Sequence, residues 1–231
     1  MAAYKVRDMF HQPILGNVAS SVSLPELAGA FSYALDVGNG RRPGHSVRSC
    51  WIGMHVGRER GVSAEEQHDL YFTLLLANFR CGPGTVPAAV ADGVAYIGEH
   101  WDGTGQPGHL RGADIPLASR IALLSQVADL THSAAGRGAA ISEVIRRSGN
   151  WLDPDLVDCF KKVAANGYFW AQLTGPLLDA RVAMLAPPDL AGVEDEYLLA
   201  GIAADLGRIA DRQPLNGDCI AALRRAGVAG R

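Results

Sequence analysis

The 231-residue chain holds four cysteines, Cys50, Cys81, Cys159 and Cys219, and no two of them form a C-x-x-C pair. That scatter offers neither a disulfide framework nor a zinc framework, and the thiols read as buried or incidental ones of a reduced, cytoplasmic protein. No apolar run approaches the ~18 residues a membrane span requires, and the N-terminus lacks the basic-then-apolar pattern of a secretion signal. A formal net charge of −3 gives no bulk attraction for nucleic acid. There is no internal repeat, no low-complexity segment and little strand signal. A G-x-S-x-G elbow, a P-loop and a dinucleotide fingerprint are all missing, since Gly103-Thr104-Gly105 lacks a strand-turn-helix context.

What is present is helix. Hydrophobic residues make up 48% of the chain, enough for a core, and a charged fraction of 19% argues against disorder. Ser23-Leu24-Pro25-Glu26 has the form of a capping box, and Leu24, Leu27, Ala28, Phe31 and Leu35 repeat at helical spacing, predicting a helix over 24–37. Further helices are predicted at about 45–60, 63–79, 87–101, from Leu117 to the break at Gly136 and Gly138, at 139–147, 153–165 and 194–212. The run Leu70–Leu76 is apolar on all sides, as in a helix buried at the centre of a bundle. The fold expected is all-α, with a lead-in at 1–23, one helical domain over 24–186 and a helical tail over 187–231. The basic pairs Arg41-Arg42, Arg146-Arg147 and Arg224-Arg225 read as solvated surface.

Between two of these helices runs Glu99-His100-Trp101-Asp102-Gly103-Thr104-Gly105-Gln106-Pro107, continuing through Leu110-Arg111-Gly112 to Ile115-Pro116. Glycines that reach positive φ and prolines that lock φ alternate here, a composition suited to one fixed loop shape on a rigid scaffold. Glu99, His100 and Asp102 are the densest ionisable group. Carboxylates three apart can serve as acid and base, or can hydrogen-bond the loop that follows. His45 and Arg48 share a helix face at i, i+3; an imidazole there can bind a metal or cap a turn. His68-Asp69 has the form of a ligand doublet but belongs to the polar first half of its helix.

The loop resembles the signature of HD-GYP domains within the HD metal-dependent phosphohydrolase superfamily: H-H-E-x-x-D-G-x-G-Y-P, then L-x-G, then I-P-x-x-A-R-I. This chain reads Ile97-Gly98-Glu99-His100-Trp101-Asp102-Gly103-Thr104-Gly105-Gln106-Pro107, Leu110-Arg111-Gly112 and Ile115-Pro116-Leu117-Ala118-Ser119-Arg120-Ile121. Gly44-His45-Ser46-Val47-Arg48 is similar to the family's G-H-x-x-R, and Ser148–Val157 to its S-G-x-x-F-D-P-x-L-V. The resemblance spans roughly residues 24–165 and implies a helical bundle holding two or three metals that hydrolyses phosphodiesters, typically cyclic di-GMP.

Matched residue by residue, most implied ligands are absent. His45 stands at the first histidine. The His-Asp doublet falls on Ala77 and Asn78, the paired histidines before Glu99 on Ile97 and Gly98, and a later aspartate on Gln126, with Asp129 three residues on. About twenty residues join Asn78 to Glu99 where the family places further helices. The leading expectation is a degenerate HD-GYP-like module with no cofactor, regulatory or protein-binding, taking a protein partner or forming a homo-oligomer, with no membrane or nucleic-acid contact. The alternative is a phosphodiesterase with a rearranged site, binding iron, manganese or zinc through His45, Glu99, His100, Asp102 and His68-Asp69 or Asp129. A third reading is a cyclic-nucleotide sensor that places phosphates on Arg111 and Arg120.

Overall fold

The computed structural model describes residues 40–78 and 86–187, together with Gly29, Ser32, Tyr33, Leu35 and Asp36. The elements are α1 (His45–Arg60), α2 (Ala64–Leu75), α3 (Ala88–Ala95), a 3-10 turn (Gly112–Asp114), α4 (Leu117–Arg146), α5 (Pro154–Ala165), α6 (Gly167–Leu173) and α7 (Leu178–Ala183). No strand occurs among the described residues, so the all-α expectation holds. The residues at 29, 32–33 and 35–36 that belong to the predicted 24–37 helix are helical. The lead-in 1–23, the Ser23–Glu26 box, Cys81, Cys219, Arg224-Arg225 and nearly all of the tail 187–231 lie outside the described residues.

Helix α1 runs through the middle of the bundle, packed against α2, α4, α5 and α7. Val47, Cys50, Trp51, Ile52, Met54 and Val56 are all buried, leaving little of α1 outside the core before its last turn. Each such side chain contributes about 1.5–3 kcal/mol when fully removed from water. Its N-cap, Gly44, has no side chain to offer the first turn, and Asp36 does that work from the preceding helical turns. The Asp36 carboxylate accepts the Ser46 N–H at 3.1 Å and the Ser46 hydroxyl at 2.6 Å.

Helix α2 opens on Ser63, whose hydroxyl accepts the Glu66 N–H while Glu66 accepts the Ser63 N–H, as the S-x-x-E pattern predicts. Leu70 to Leu76 are buried to the last residue, matching the all-round apolar run. The helix stops at Leu75, short of the predicted 79, and Ala77 and Asn78 lie in a turn.

Helix α3 is also shorter than the predicted 87–101. It stops at Ala95 because the chain must double back there: the Gln106 N–H donates to the Gly98 carbonyl at 3.0 Å, tying the far end of the loop to its root. Helix α4 carries the predicted break. Gly136 sits at φ 81°, ψ −176°, inside the element and outside helical space, a combination open to glycine almost alone. Asp153 and Pro154 open α5 as predicted, with the Asp153 carboxylate accepting the Asp155 N–H at 2.9 Å. Helices α6 and α7 had no counterpart in the sequence reading. Asn166 caps α6 through the Tyr168 N–H, Phe169 stacks on Trp51, and Trp170 and Leu173 are buried beside it.

Candidate functional site

At the start of α1, three charged or polar side chains converge inside the bundle. His45 Nδ1 lies 2.6 Å from Asp129 Oδ2, Arg48 Nε lies 2.6 Å from Asp129 Oδ1, and Arg48 Nη2 reaches Oδ2 at 3.3 Å. Asp129 is fully buried and His45 nearly so, while Arg48 keeps 18% of its side chain in solvent. Helical geometry explains the convergence: His45 and Arg48 are one turn apart on α1, facing the segment of α4 that carries Asp129. The Ser133 hydroxyl adds a hydrogen bond to Asp129 Oδ1 at 3.3 Å, one turn further along α4.

The ring orientation of His45 follows from its other neighbour. Arg41 Nη1 is 3.5 Å from Nε2, and a guanidinium can only donate. Nε2 therefore accepts, and Nδ1 carries the hydrogen that it donates to Asp129. Asp129 is thus neutralised by Arg48 and hydrogen-bonded by His45, with both oxygens engaged.

Beside this pair, Asn78 Nδ2 donates to Ser46 Oγ at 3.3 Å and to Asp36 Oδ1 at 3.4 Å. Burial pushes the Asp36 carboxyl above its usual range, opposed by the hydrogen bonds from Ser46. The doublet position Ala77-Asn78 therefore joins a second polar cluster, centred on Asp36. Asp36 directly follows Leu35, the last residue of the predicted apolar stripe, and no local pattern singled it out.

The loop candidates face their own backbone. Glu99 is buried, 2% exposed, and accepts the Gly108 N–H and the Leu110 N–H, the latter at 3.0 Å. Asp102 closes a local turn, accepting the Thr104 N–H at 2.9 Å and its hydroxyl at 2.6 Å, and these bonds hold its carboxyl below the ordinary value. Gly105 has no room for a side chain: a Cβ there would run into the backbone of Glu99 and His100. His100 stacks on Trp151 at 4.3 Å between centroids, and the Arg147 guanidinium covers that indole at 3.5 Å. Partial burial pulls His100 below the usual imidazole value.

Arg120 pairs with Asp153 at 2.6 Å and donates to the Ile115 carbonyl, bracing the loop against the start of α5. Arg111 is exposed at the loop's outer edge. His68 and Asp69 bond each other at 3.1 Å, half-buried, with the imidazole against Phe72. Ile97 is buried, Gly98 accepts the loop-closing bond, and Gln126 lies half-buried one turn before Asp129. The carboxylate that meets His45 is thus Asp129, while the motif-matched position is Gln126.

A divalent pair requires several histidine and carboxylate ligands with free lone pairs around one point. Here His45 Nε2 faces a guanidinium, Asp129 is engaged by His45 and Arg48, and Asn78 brings no charge. Among the described residues no group of three or more His, Cys, Asp or Glu is arranged to hold a metal ion. The described residues do not fit the metal centre that the resemblance implies.

Residues 57–156 match the family model described as HD domain. The chain is 30% identical, over an alignment 267 positions long, to a 3'3'-cGAMP-specific phosphodiesterase 3 of Vibrio cholerae serotype O1, a match covering 81% of this chain and 58% of that protein. It is 38% identical over 71 residues to a cyclic di-GMP phosphodiesterase of the same organism, covering 28% of this chain and 14% of that one. The crystal structure of a cyclic GMP-AMP specific phosphodiesterase of V. cholerae superposes with a TM-score of 0.71 at 32% identity, covering 81% of this chain and 60% of that chain. The chain therefore spans less than two thirds of the length of these relatives.

Proposed function

We propose, from the premise that this chain belongs to the HD phosphohydrolase superfamily, that its HD unit is a non-catalytic relative of the cyclic dinucleotide phosphodiesterases. It works as a regulatory or protein-interaction module, joined to a protein partner or to a second copy of itself. The observation that carries this reading is the state of Asp129, a fully buried carboxylate already neutralised by Arg48 and bonded by His45. A metal ion would have to displace both to reach it. The HD-GYP likeness of the loop supports kinship of scaffold, because Glu99, Asp102 and Arg120 all spend their hydrogen bonds on holding the loop in shape.

Metal analysis of the purified chain, before and after incubation with manganese or ferrous iron, tests this reading. Less than one tightly bound ion per chain is expected, and two per chain would overturn it.

The second reading, a phosphodiesterase with a rearranged site, is supported by the relatives' own names and by 30% identity over most of this chain. Hydrolysis of 3'3'-cGAMP or cyclic di-GMP by the manganese-loaded chain, abolished by His45→Ala, would establish it in place of the first.

A further inference from the structure

On the solvent side of Arg48 an open cavity of about 650 Å³ lies between the start of α1, the middle of α4 and the turn joining α6 to α7. That volume is in the range of small-molecule sites, roughly 300–1,000 Å³. Neither the loop nor the Asp36 cluster contributes to its wall. The side chains that bear on its chemistry are Tyr33, Arg42, Arg48, His132 and Asp179.

Both guanidiniums are held in place. Arg48 is fixed by Asp129 through Nε and Nη2 and by the Pro43 carbonyl through Nη1, at 3.1 Å. Arg42 Nη1 donates to the Ser133 carbonyl at 3.0 Å. Each keeps further N–H groups beyond those bonds, so the wall carries planar donor forks whose ordering cost is already met. Asp129 behind Arg48 balances that charge, and among the described residues Arg42 has no carboxylate partner, so its guanidinium faces the cavity with its charge available to a phosphate. The remaining anion in the wall is Asp179. Its Oδ1 accepts the Tyr33 hydroxyl at 2.9 Å, which leaves Oδ2 and the second lone pair of Oδ1 for a pair of ligand donors. Partial burial keeps His132 below the usual imidazole value, and its ring is stacked on Trp170 at 5.0 Å, so it adds a polar face without charge near neutral pH.

We propose that this cavity binds a guanine nucleotide, the phosphate on Arg42 and Arg48 and the base edge on Asp179. A carboxylate suits guanine because N1–H and the N2 amino group are adjacent donors, whereas adenine sets one donor beside an acceptor. The inference rests on the reading above for its ligand class, since the relatives are named for cyclic dinucleotides that contain guanine. It adds a place, across Arg48 from the His45–Asp129 pair, where such a ligand is held without being cut.

Calorimetric titration of the full chain with cyclic di-GMP, GMP, AMP and inorganic phosphate tests it. Cyclic di-GMP and GMP are expected to bind, with AMP weaker. Arg42→Gln should lower affinity for both guanine nucleotides about tenfold, and Asp179→Asn should erase the preference for GMP over AMP. Arg42 and Asp179 are exposed, and a thermal melt of each variant checks that it folds. No heat from either guanine nucleotide at millimolar concentration overturns the inference, as does binding that neither variant alters. Metal content measured on the same samples separates the two ideas: two tight ions per chain defeat the non-catalytic reading, and unaltered binding in the variants defeats only the cavity.

Discussion

Arg48 and Asp129 stand 81 residues apart in the chain and 2.6 Å apart in space, the guanidinium reaching inward from a partly exposed position to a carboxylate that has no solvent at all. A buried ionised carboxylate is tolerated only where charge and hydrogen bonds meet it, and here Arg48 brings the charge while His45 and Ser133 supply the rest.

Removing the cation should therefore be costly. Arg48→Ala is expected to destabilise the fold by about 3–5 kcal/mol, because it strands Asp129 with hydrogen bonds alone. Urea unfolding of the variant measures it. A loss below about 1 kcal/mol, the scale of a surface pair, would show that Arg48 is not what neutralises Asp129.

Restoring the doublet should not restore metal binding. The double substitution Ala77→His, Asn78→Asp supplies two ligand types, but it leaves Asp129 with Arg48 and His45 with Arg41, and it sets a new carboxylate beside Asp36. Metal content is expected to stay below one ion per chain, measured by elemental analysis, and stability to fall. Two bound ions would mean that the Arg48 pair yields readily to a metal.

Glu99 supports the loop through two backbone N–H groups. Glu99→Ala leaves the Gly108 and Leu110 donors without their partner, and a buried unsatisfied donor costs about 1–3 kcal/mol. Hydrogen exchange should quicken at Gly108 and Leu110 well before it quickens in α1. Equal acceleration throughout the chain would assign Glu99 a global role instead.

Three histidines set a pH trend. Burial holds His55, His100 and His132 below the ordinary imidazole value of about 6.5. Well above pH 6.5 the folded and unfolded chains are equally unprotonated at these rings. As pH falls below it, the unfolded chain takes up protons first, so stability is lost as pH falls through the lower folded values. Asp36, raised by burial, acts with the opposite sign, so a comparison with a variant isolates the imidazole. His132→Gln should flatten the decline of melting temperature between pH 7 and pH 5, and an unchanged slope would remove His132 from the account.

The all-α class and most helix starts were legible because local chemistry sets them: Ser63 with Glu66, Asp153 with Pro154, and the all-round apolar Leu70–Leu76. Helix ends were less legible. The end of α3 is fixed by a bond between Gly98 and Gln106, eight residues apart across a loop, which no local pattern encodes. Helices α6 and α7 were missed because they are short and rest on α1, far away in the chain, α6 through Phe169 against Trp51 and α7 by packing on α1. The site was half legible. His45 and Arg48 were visible as a helix face, but their partner was set by packing of α1 on α4, which chose Asp129 over the motif position Gln126 one turn earlier.

The break at Gly136 gives α4 a second property. Asp129 lies on one side of it. On the other, Glu143 holds Arg147, which covers Trp151, and Trp151 and Asn150 offer their carbonyls to the N–H groups of Trp101 and Asp102. Each residue of an α-helix turns the chain by about 100°, so the break fixes the angular phase between these two stations as a coupling fixes two shafts. Length matters at such a point as well as the glycine that makes it. A single residue added or removed at Gly136 would leave both halves helical, yet rotate the shaped loop out of step with the polar pair at the heart of the bundle.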